Sequence, residues 1–412
     1  MKFRPLALGL LLFLALAACE GQDRAVKPDQ ITPGVSDSEI LLGSSLALEG
    51  HAGYLGTQTL RGALSYINHV NEEEGGVFGR KIRVKAYDDA YDPPRCLANT
   101  QRLIVEDKVF ALFSYVGTPT TVKILPMVEE AGIPLLGMFT GAKALREPFN
   151  RHIINVRTSY YQETATAVRH LVSDLGIKKI AVFYQYDAYG FDGLTGAELA
   201  LKGFGLEPVA RGSYVRGTAE VEEGYARIEK SGAEAVVMIG TADPCARFIR
   251  LAEEGAFAPI FYTVSFVGAE ELARRLGPTD KSIVIMSQVV PPPDRPGGAS
   301  EYMTHLKRSF PDDTPNYVGL EGYINARVLV EGLRRAGREI TRERFIEAIE
   351  SMHAFKPGPD IDISFSATDH QGMDRVYLTR LENERFTLIG DWQGVRQAFE
   401  RSKERLAGGK TP

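Results

Sequence analysis

From Ser38 onward the chain switches repeatedly between two hydrophobic periods. A short apolar run, Ile40-Leu41-Leu42-Gly43, gives way to Leu60, Ala63, Leu64 and Ile67, spaced as one face of a helix. Glu74-Gly75-Gly76 stops that helix. A half-exposed strand at 81–87, a helix at 97–104, a buried strand at 109–113, a helix at 122–128 and a strand at 133–136 complete a first run. The rhythm then restarts, with strands at 180–184, 208–214, 235–239, 260–264 and 283–287 and helices at 163–175, 191–204, 221–230 and 246–253. Strands separated by helices of this length predict right-handed crossovers and parallel sheets covered on both faces. The two runs, 38–156 and 157–288, predict an α/β protein of two similar lobes. Beyond Pro291-Pro292-Pro293 the pattern predicts helices at 300–310, 317–336 and 342–351, then an antiparallel hairpin from 376–381 and 386–389.

The first residues belong to a different class. Lys2 and Arg4 precede an apolar stretch from Leu6 to Leu16, the length of a signal-peptide core and short for a membrane span. It ends in Leu16-Ala17-Ala18-Cys19, which resembles a bacterial lipobox. Residues 1–18 are therefore expected to be cleaved, leaving Cys19 as a lipidated N-terminus and 19–37 as a tether.

Composition narrows the function by exclusion. Hydrophobic residues make up 44% and charged residues 25%, an ordinary globular balance. The net charge of −5, with no basic tract, argues against a nucleic-acid partner. Three cysteines cannot form a disulfide scaffold, and Cys96 and Cys245 fall in different lobes. The seven histidines include no zinc-hydrolase motif, and there is no phosphate-binding loop, dinucleotide fingerprint or nucleophile elbow. Asp88-Asp89 reads as a solvated turn rather than an acid–base pair. No metal, cofactor or catalytic constellation is expected, so a binding protein is favoured over an enzyme.

Candidate chemistry lies at the carboxyl ends of the strands, where open α/β sheets bind ligands beside helix N-termini. The strand at 109–113 runs into Ser114-Tyr115-Val116-Gly117-Thr118-Pro119, with Thr118 as the expected N-cap and Pro119 as the first helical residue. The next strand ends in Gly137-Met138-Phe139-Thr140-Gly141. In the second lobe Gly240-Thr241-Ala242-Asp243-Pro244 repeats the pattern, and Tyr160, Tyr189 and Phe266 stand at matching ends.

These residues, with Gly76-Val77-Phe78-Gly79, Gln288-Val289-Val290-Pro291 and Leu320-Glu321-Gly322-Tyr323, make the chain resemble the type I periplasmic binding proteins of the branched-chain amino-acid transporter group. The resemblance implies two Rossmann-like lobes joined by three crossings, near 155–158, 287–291 and 363–366. The first lobe would comprise 38–156 plus 289–364, the second 157–288 plus 365–400, and 401–412 would be a tail. It implies a small molecule held between the lobes and delivered to a membrane permease by a periplasmic, lipid-anchored monomer. The expected ligand contacts are Tyr54, Tyr115, Val116, Gly117, Thr118, Phe139, Thr140, Gly141, Tyr160, Tyr189, Thr241, Asp243, Ser265 and Phe266. Where that group places an acidic partner for the ligand ammonium, this chain has Ser265-Phe266; where it places a hydroxyl on the second loop, this chain has Gly141. Two other roles fit the same fold: a carrier of an apolar ligand between membranes, and a ligand-sensing receptor subunit.

Overall fold

The computed structural model describes residues 32–279, 282–294, 299–358 and 360–408. Cys19 and the rest of the leader lie outside them. The first sheet has five strands in the order β2-β1-β3-β4-β5, all parallel. These are β1 (Glu39–Leu46), β2 (Lys81–Asp88), β3 (Ala111–Phe113), β4 (Leu135–Leu136) and β5 (Ile153–Ile154). Helices α1 (Gly53–Glu73), α2 (Pro93–Val105) and α3 (Thr118–Ala131) make the crossovers. The second sheet carries β6 (Ile180–Gln185), β7 (Arg211–Tyr214), β8 (Ala235–Ile239), β9 (Ile260–Thr263) and β10 (Ile283–Gln288) in parallel. Its helices are α4 (Tyr160–Arg169), α5 (Ala188–Gly203), α6 (Glu222–Lys230), α7 (Ala242–Glu254) and α8 (Ala269–Leu276). The strand order is β14-β13-β10-β9-β8-β6-β7, where β13 (Tyr377–Glu382) and β14 (Arg385–Leu388) are the expected antiparallel hairpin.

The first sheet is covered on one side by α9 (Ser300–Ser309), α10 (Tyr317–Ala336) and α11 (Arg342–Glu350), with α10 laid along α1. A small hairpin, β11 (Phe355–Gly358) with β12 (Ile361–Ile363), follows. The hydrophobic pattern did not separate it from loop, because Pro357 and Gly358 break any alternation.

Three segments connect the lobes. The first leaves β5 at Asn155. The third runs beside it: Asn155 N–H donates to the His370 carbonyl at 2.8 Å, and Gly372 and Met373 donate back to the carbonyls of Asn155 and Val156 at 2.8 and 2.9 Å. The hinge is therefore a pair of hydrogen-bonded strands of chain rather than single linkers, with the third crossing extending past Ser366 to the start of β13.

Two expectations about the ends are corrected. The tether does not reach 37: Thr32 Oγ1 donates to the Ile340 carbonyl, and Leu41 N–H donates to the Gly34 carbonyl, so the fold has begun by Thr32. The end of the chain is not a loose tail from 401, because α12 (Trp392–Gly408) continues as a helix. Val395, Phe399 and Ser402 are buried at helical spacing, and Lys403 pairs with Glu234 at 3.0 Å. Among the described residues no helix is long and apolar enough to cross a membrane.

The contact of α1 with α10 depends on glycine. A Cβ at Gly62 would stand 1.8 Å from the Gly319 carbonyl oxygen, and one at Gly322 would stand 2.1 Å from that of Thr59. Gly62→Ala must force the helices apart and is expected to cost roughly 2 kcal/mol or more. Urea unfolding reads this as a lower midpoint at unchanged slope; an unshifted midpoint refutes the close approach.

Candidate functional site

The lobes meet at the carboxyl ends of both sheets. On the first lobe, loop 114–118 and loop 137–141 are zipped together: Phe139 N–H donates to the Tyr115 carbonyl at 2.7 Å, and Gly117 N–H donates to that of Phe139 at 3.2 Å. Gly117 has φ 97°, and its absent Cβ would stand 2.0 Å from the Tyr91 ring, so the position admits glycine only. Gly117, not Thr118, is the N-cap of α3; Thr118 is the first helical residue and Pro119 the second. The one-residue shift frees the Thr118 hydroxyl, which meets the Thr140 hydroxyl at 2.7 Å instead of capping the helix. Because Pro119 has no N–H, the first turn presents the N–H groups of Thr118 and Thr120 at the positive end of the helix.

Facing these loops is a cluster of rings. Phe266 lies at its centre, 4.6 Å from Tyr189, 5.6 Å from Phe139, 5.9 Å from Tyr91 and 6.4 Å from Tyr160, measured between centroids. Tyr91 and Phe139 come from the first sheet, while Tyr160, Tyr189 and Phe266 follow the first crossing and the second sheet. All five are buried. The cleft is closed, with ring packed against ring. The Tyr189 hydroxyl donates to the Gly240 carbonyl at 3.1 Å, whereas those of Tyr91 and Tyr160 are buried without a well-aligned partner.

Behind the rings lies a charge cluster. The Arg157 guanidinium, 1% exposed, packs 5.0 Å from the Phe139 centroid and 5.6 Å from that of Tyr160. Its Nη2 stands 3.1 Å from Glu163 Oε1 and contacts Ser265 Oγ; its Nη1 stands 3.3 Å from Glu321 Oε1. Glu163 also accepts Ser265 N–H at 2.8 Å, Ser265 Oγ at 3.0 Å and Ser287 Oγ at 2.5 Å. Burial works against charge on Arg157, but Glu321 and Glu163 outweigh it and raise the guanidinium further. Burial pushes the Glu321 carboxyl up to about 7 despite Arg157 beside it.

The sequence-derived contacts divide. Val116, Gly117, Thr118, Phe139, Thr140, Gly141, Tyr160, Tyr189, Ser265 and Phe266 converge on the cleft. Tyr54 bridges the lobes from outside the ring cluster, its hydroxyl 3.4 Å from Glu270 Oε2. Tyr115 turns into the first lobe, where its hydroxyl meets Thr100 Oγ1 at 2.9 Å. Thr241 N–H donates to the Tyr214 hydroxyl at 2.9 Å. Asp243 points outward: half exposed, it pairs with Arg275 at 2.6 Å because its place in the first turn of α7 faces α8.

Tyr91, Arg157, Glu163 and Glu321 were not found from the sequence. Tyr91 sits in a left-handed turn with Ala90, built by the two acids before it. Asp88 accepts the N–H groups of Leu48, Glu49 and Ala90, and Asp89 is buried against Ser45 Oγ at 2.8 Å and Tyr91 N–H at 2.9 Å. The pair thus builds the turn rather than facing solvent, and burial pushes Asp89 up to about 6. An aromatic three residues past a strand end was the available signal. Cys96 and Cys245 are free and buried, and among the described residues no group of three or more His, Cys, Asp or Glu could hold a metal ion.

Comparison with known proteins agrees with this architecture. The family model described as periplasmic binding protein matches residues 39–385. The chain is 27% identical to an amino acid binding protein of Pseudomonas aeruginosa, over 58% of this chain and 64% of that one. It is 25% identical to Leu/Ile/Val-binding protein homolog 7 of Brucella abortus, over 87% and 90% of the two chains. A solved structure of a possible leucine/isoleucine/valine-binding protein from Rhodopirellula baltica superposes with a TM-score of 0.82 at 33% identity, covering 86% of this chain and 97% of that one.

The buried carboxyl of Glu321 gives a pH test. Its folded value of about 7 exceeds the ordinary 4.5, so the folded state holds a proton between these values that the unfolded state has released. Stability from this group is therefore present at the acid end and is lost as pH rises through 7. Glu321→Gln should flatten that slope, gaining on the order of 2 kcal/mol relative to wild type between pH 5 and pH 8. Urea unfolding at both values checks it; parallel pH profiles would remove Glu321 from the account.

Proposed function

The chain belongs to the periplasmic binding protein family, and on that footing we propose that it captures a solute with an uncharged, ring-bearing or apolar body and one acid or hydroxyl end. Closure of the lobes holds the ligand, and the closed form hands it to a membrane transporter. The carrying observation is the contrast between the two walls. Thr118, Thr140 and the start of α3 offer donors to an acid or hydroxyl. Opposite them stand Tyr160, Tyr189 and Phe266; of the nearby acids, Glu163 already receives four donors and Glu321 has the Arg157 guanidinium against it. An ammonium placed there would be buried without a partner, which abolishes useful affinity. This sets the proposed ligand apart from the leucine, isoleucine and valine in the names of two relatives. The reading is of a binding protein in the periplasm, not an enzyme.

Calorimetry on the purified protein tests the ligand class. Aromatic and deaminated carboxylates are expected to bind at micromolar concentration or tighter, with leucine and valine far weaker. Micromolar binding of plain leucine would overturn the assignment and restore an amino-acid ligand.

The location is proposed to be a bacterial membrane surface, through lipidation of Cys19. Several acyl chains anchor far more strongly than one. Cys19→Ala should therefore move the protein from the membrane fraction to the soluble one. Retention on membranes after a high-salt wash would contradict the anchor.

A further inference from the structure

Arg157 is a buried cation inside a solute-binding cleft, and its position has a consequence for ligand choice. Its guanidinium lies between the ring faces of Phe139 and Tyr160 on one side and two carboxylates on the other. The carboxylates arrive from different lobes, Glu163 on α4 and Glu321 on α10. Glu163 has its acceptor positions filled by Ser265 N–H, Ser265 Oγ, Ser287 Oγ and Arg157 Nη2. Glu321 Oε1 has Arg157 Nη1 at 3.3 Å and no hydrogen bond of good geometry. The neighbouring cation, Arg146, is turned away: it donates to Gln371 Oε1 and to the carbonyls of Ala142 and Arg157.

A positively charged ligand group that sought either acid would have to occupy the volume the guanidinium fills. We infer that Arg157 is the specificity-determining residue that excludes cationic ligands, acting as a built-in occupant of the acidic recess between Glu163 and Glu321. The inference rests on the reading that ligands enter this cleft. It differs from a purely structural role, in which Arg157 would hold the hinge but leave ligand charge preference unchanged. Removing the guanidinium while keeping both acids leaves a recess of matching size and opposite charge. A primary amine on an aromatic body, or a free methylguanidinium ion, then finds the partner it lacks in the wild-type protein.

The test compares the wild-type chain with Arg157→Met and with the charge-keeping Arg157→Lys. Each is titrated with 3-phenylpropanoate, phenethylamine and methylguanidinium chloride, with potassium chloride as the salt control. Phenethylamine is expected to bind R157M at least about tenfold more tightly than wild type, because an opposite buried charge favours the ionised amine. Methylguanidinium should raise the melting temperature of R157M and leave wild type unmoved. R157K should reject the amine as wild type does.

The double variant R157Q/E163Q buries one carboxylate fewer and keeps Glu321; it too is expected to gain the amine. Rejection of phenethylamine by whichever of R157M and R157Q/E163Q is folded overturns the inference, as does amine binding by R157K. If neither folds in plain buffer, refolding of R157M by methylguanidinium but not by potassium chloride supports it, and no refolding overturns it. Wild-type protein that binds no carboxylate would count against the ligand reading. The amine and methylguanidinium comparisons judge Arg157 independently of that result.

Discussion

The arrangement of the cleft depends on one interaction, the Arg157 guanidinium held between Glu163 and Glu321. Arg157 stands in the first crossing, Glu163 at the start of the second lobe and Glu321 in the helix that lies along the first. Buried charges of this kind are costly unless donors and acceptors are placed, as they are around Glu163. Here the placement is what orders the site. Glu163 fixes the backbone of Ser265 with one oxygen and its side chain with the other. That turn carries Phe266, and Phe266 is the ring against which Tyr91, Phe139, Tyr160 and Tyr189 pack. A polar cluster thereby sets the position of an apolar surface that it meets only through the faces of Phe139 and Tyr160.

Much of the architecture could be read from periodicity. The buried strand β8 and its helices α6 and α7 leave an unmistakable alternation, and Thr118, Phe139, Tyr189 and Phe266 follow from the rule that strand ends bind ligands. What escaped notice has a common physical cause. Arg157, Glu163 and Glu321 lie at helix starts and in a crossing, where charged residues ordinarily face water. Nothing in their local spacing reveals that three such residues converge and are buried together. Asp243 erred in the opposite direction: a strand-end acid was read as cleft-facing, but its place in the first turn of α7 turns it toward Arg275. Local pattern gives the position of a residue along an element, while direction depends on how elements pack. The helical end of the chain was missed because Trp392, Val395 and Phe399 are diluted by charged neighbours.

The comparisons and the geometry bear on different questions. The match across 39–385 fixes family and fold. It does not carry ligand identity, because identity near one quarter leaves the few side chains that meet a ligand free to change. In this chain the turn after β9 carries Ser265 and Phe266 rather than an acid. The acid near the second wall is present, but it comes from α4 rather than from the turn after β9, and it arrives with its own cation.

Geometry also explains why the polar cluster can persist while the cleft works. Arg157 lies in the crossing, beside the paired backbone of 155–156 and 370–373, close to any axis about which the lobes turn. Displacement in a hinge rotation grows with distance from the axis. Atoms around Arg157 therefore move little, and bonds near 3 Å survive small adjustments of long side chains. Tyr91 belongs to the first lobe and Tyr189 to the second, so a rotation about this hinge would part them and expose their apolar faces. Electrostatic order is concentrated where motion is smallest, and non-directional apolar contact where it is largest. That division suits a protein that must open without dismantling the buried charges on which its cleft is built.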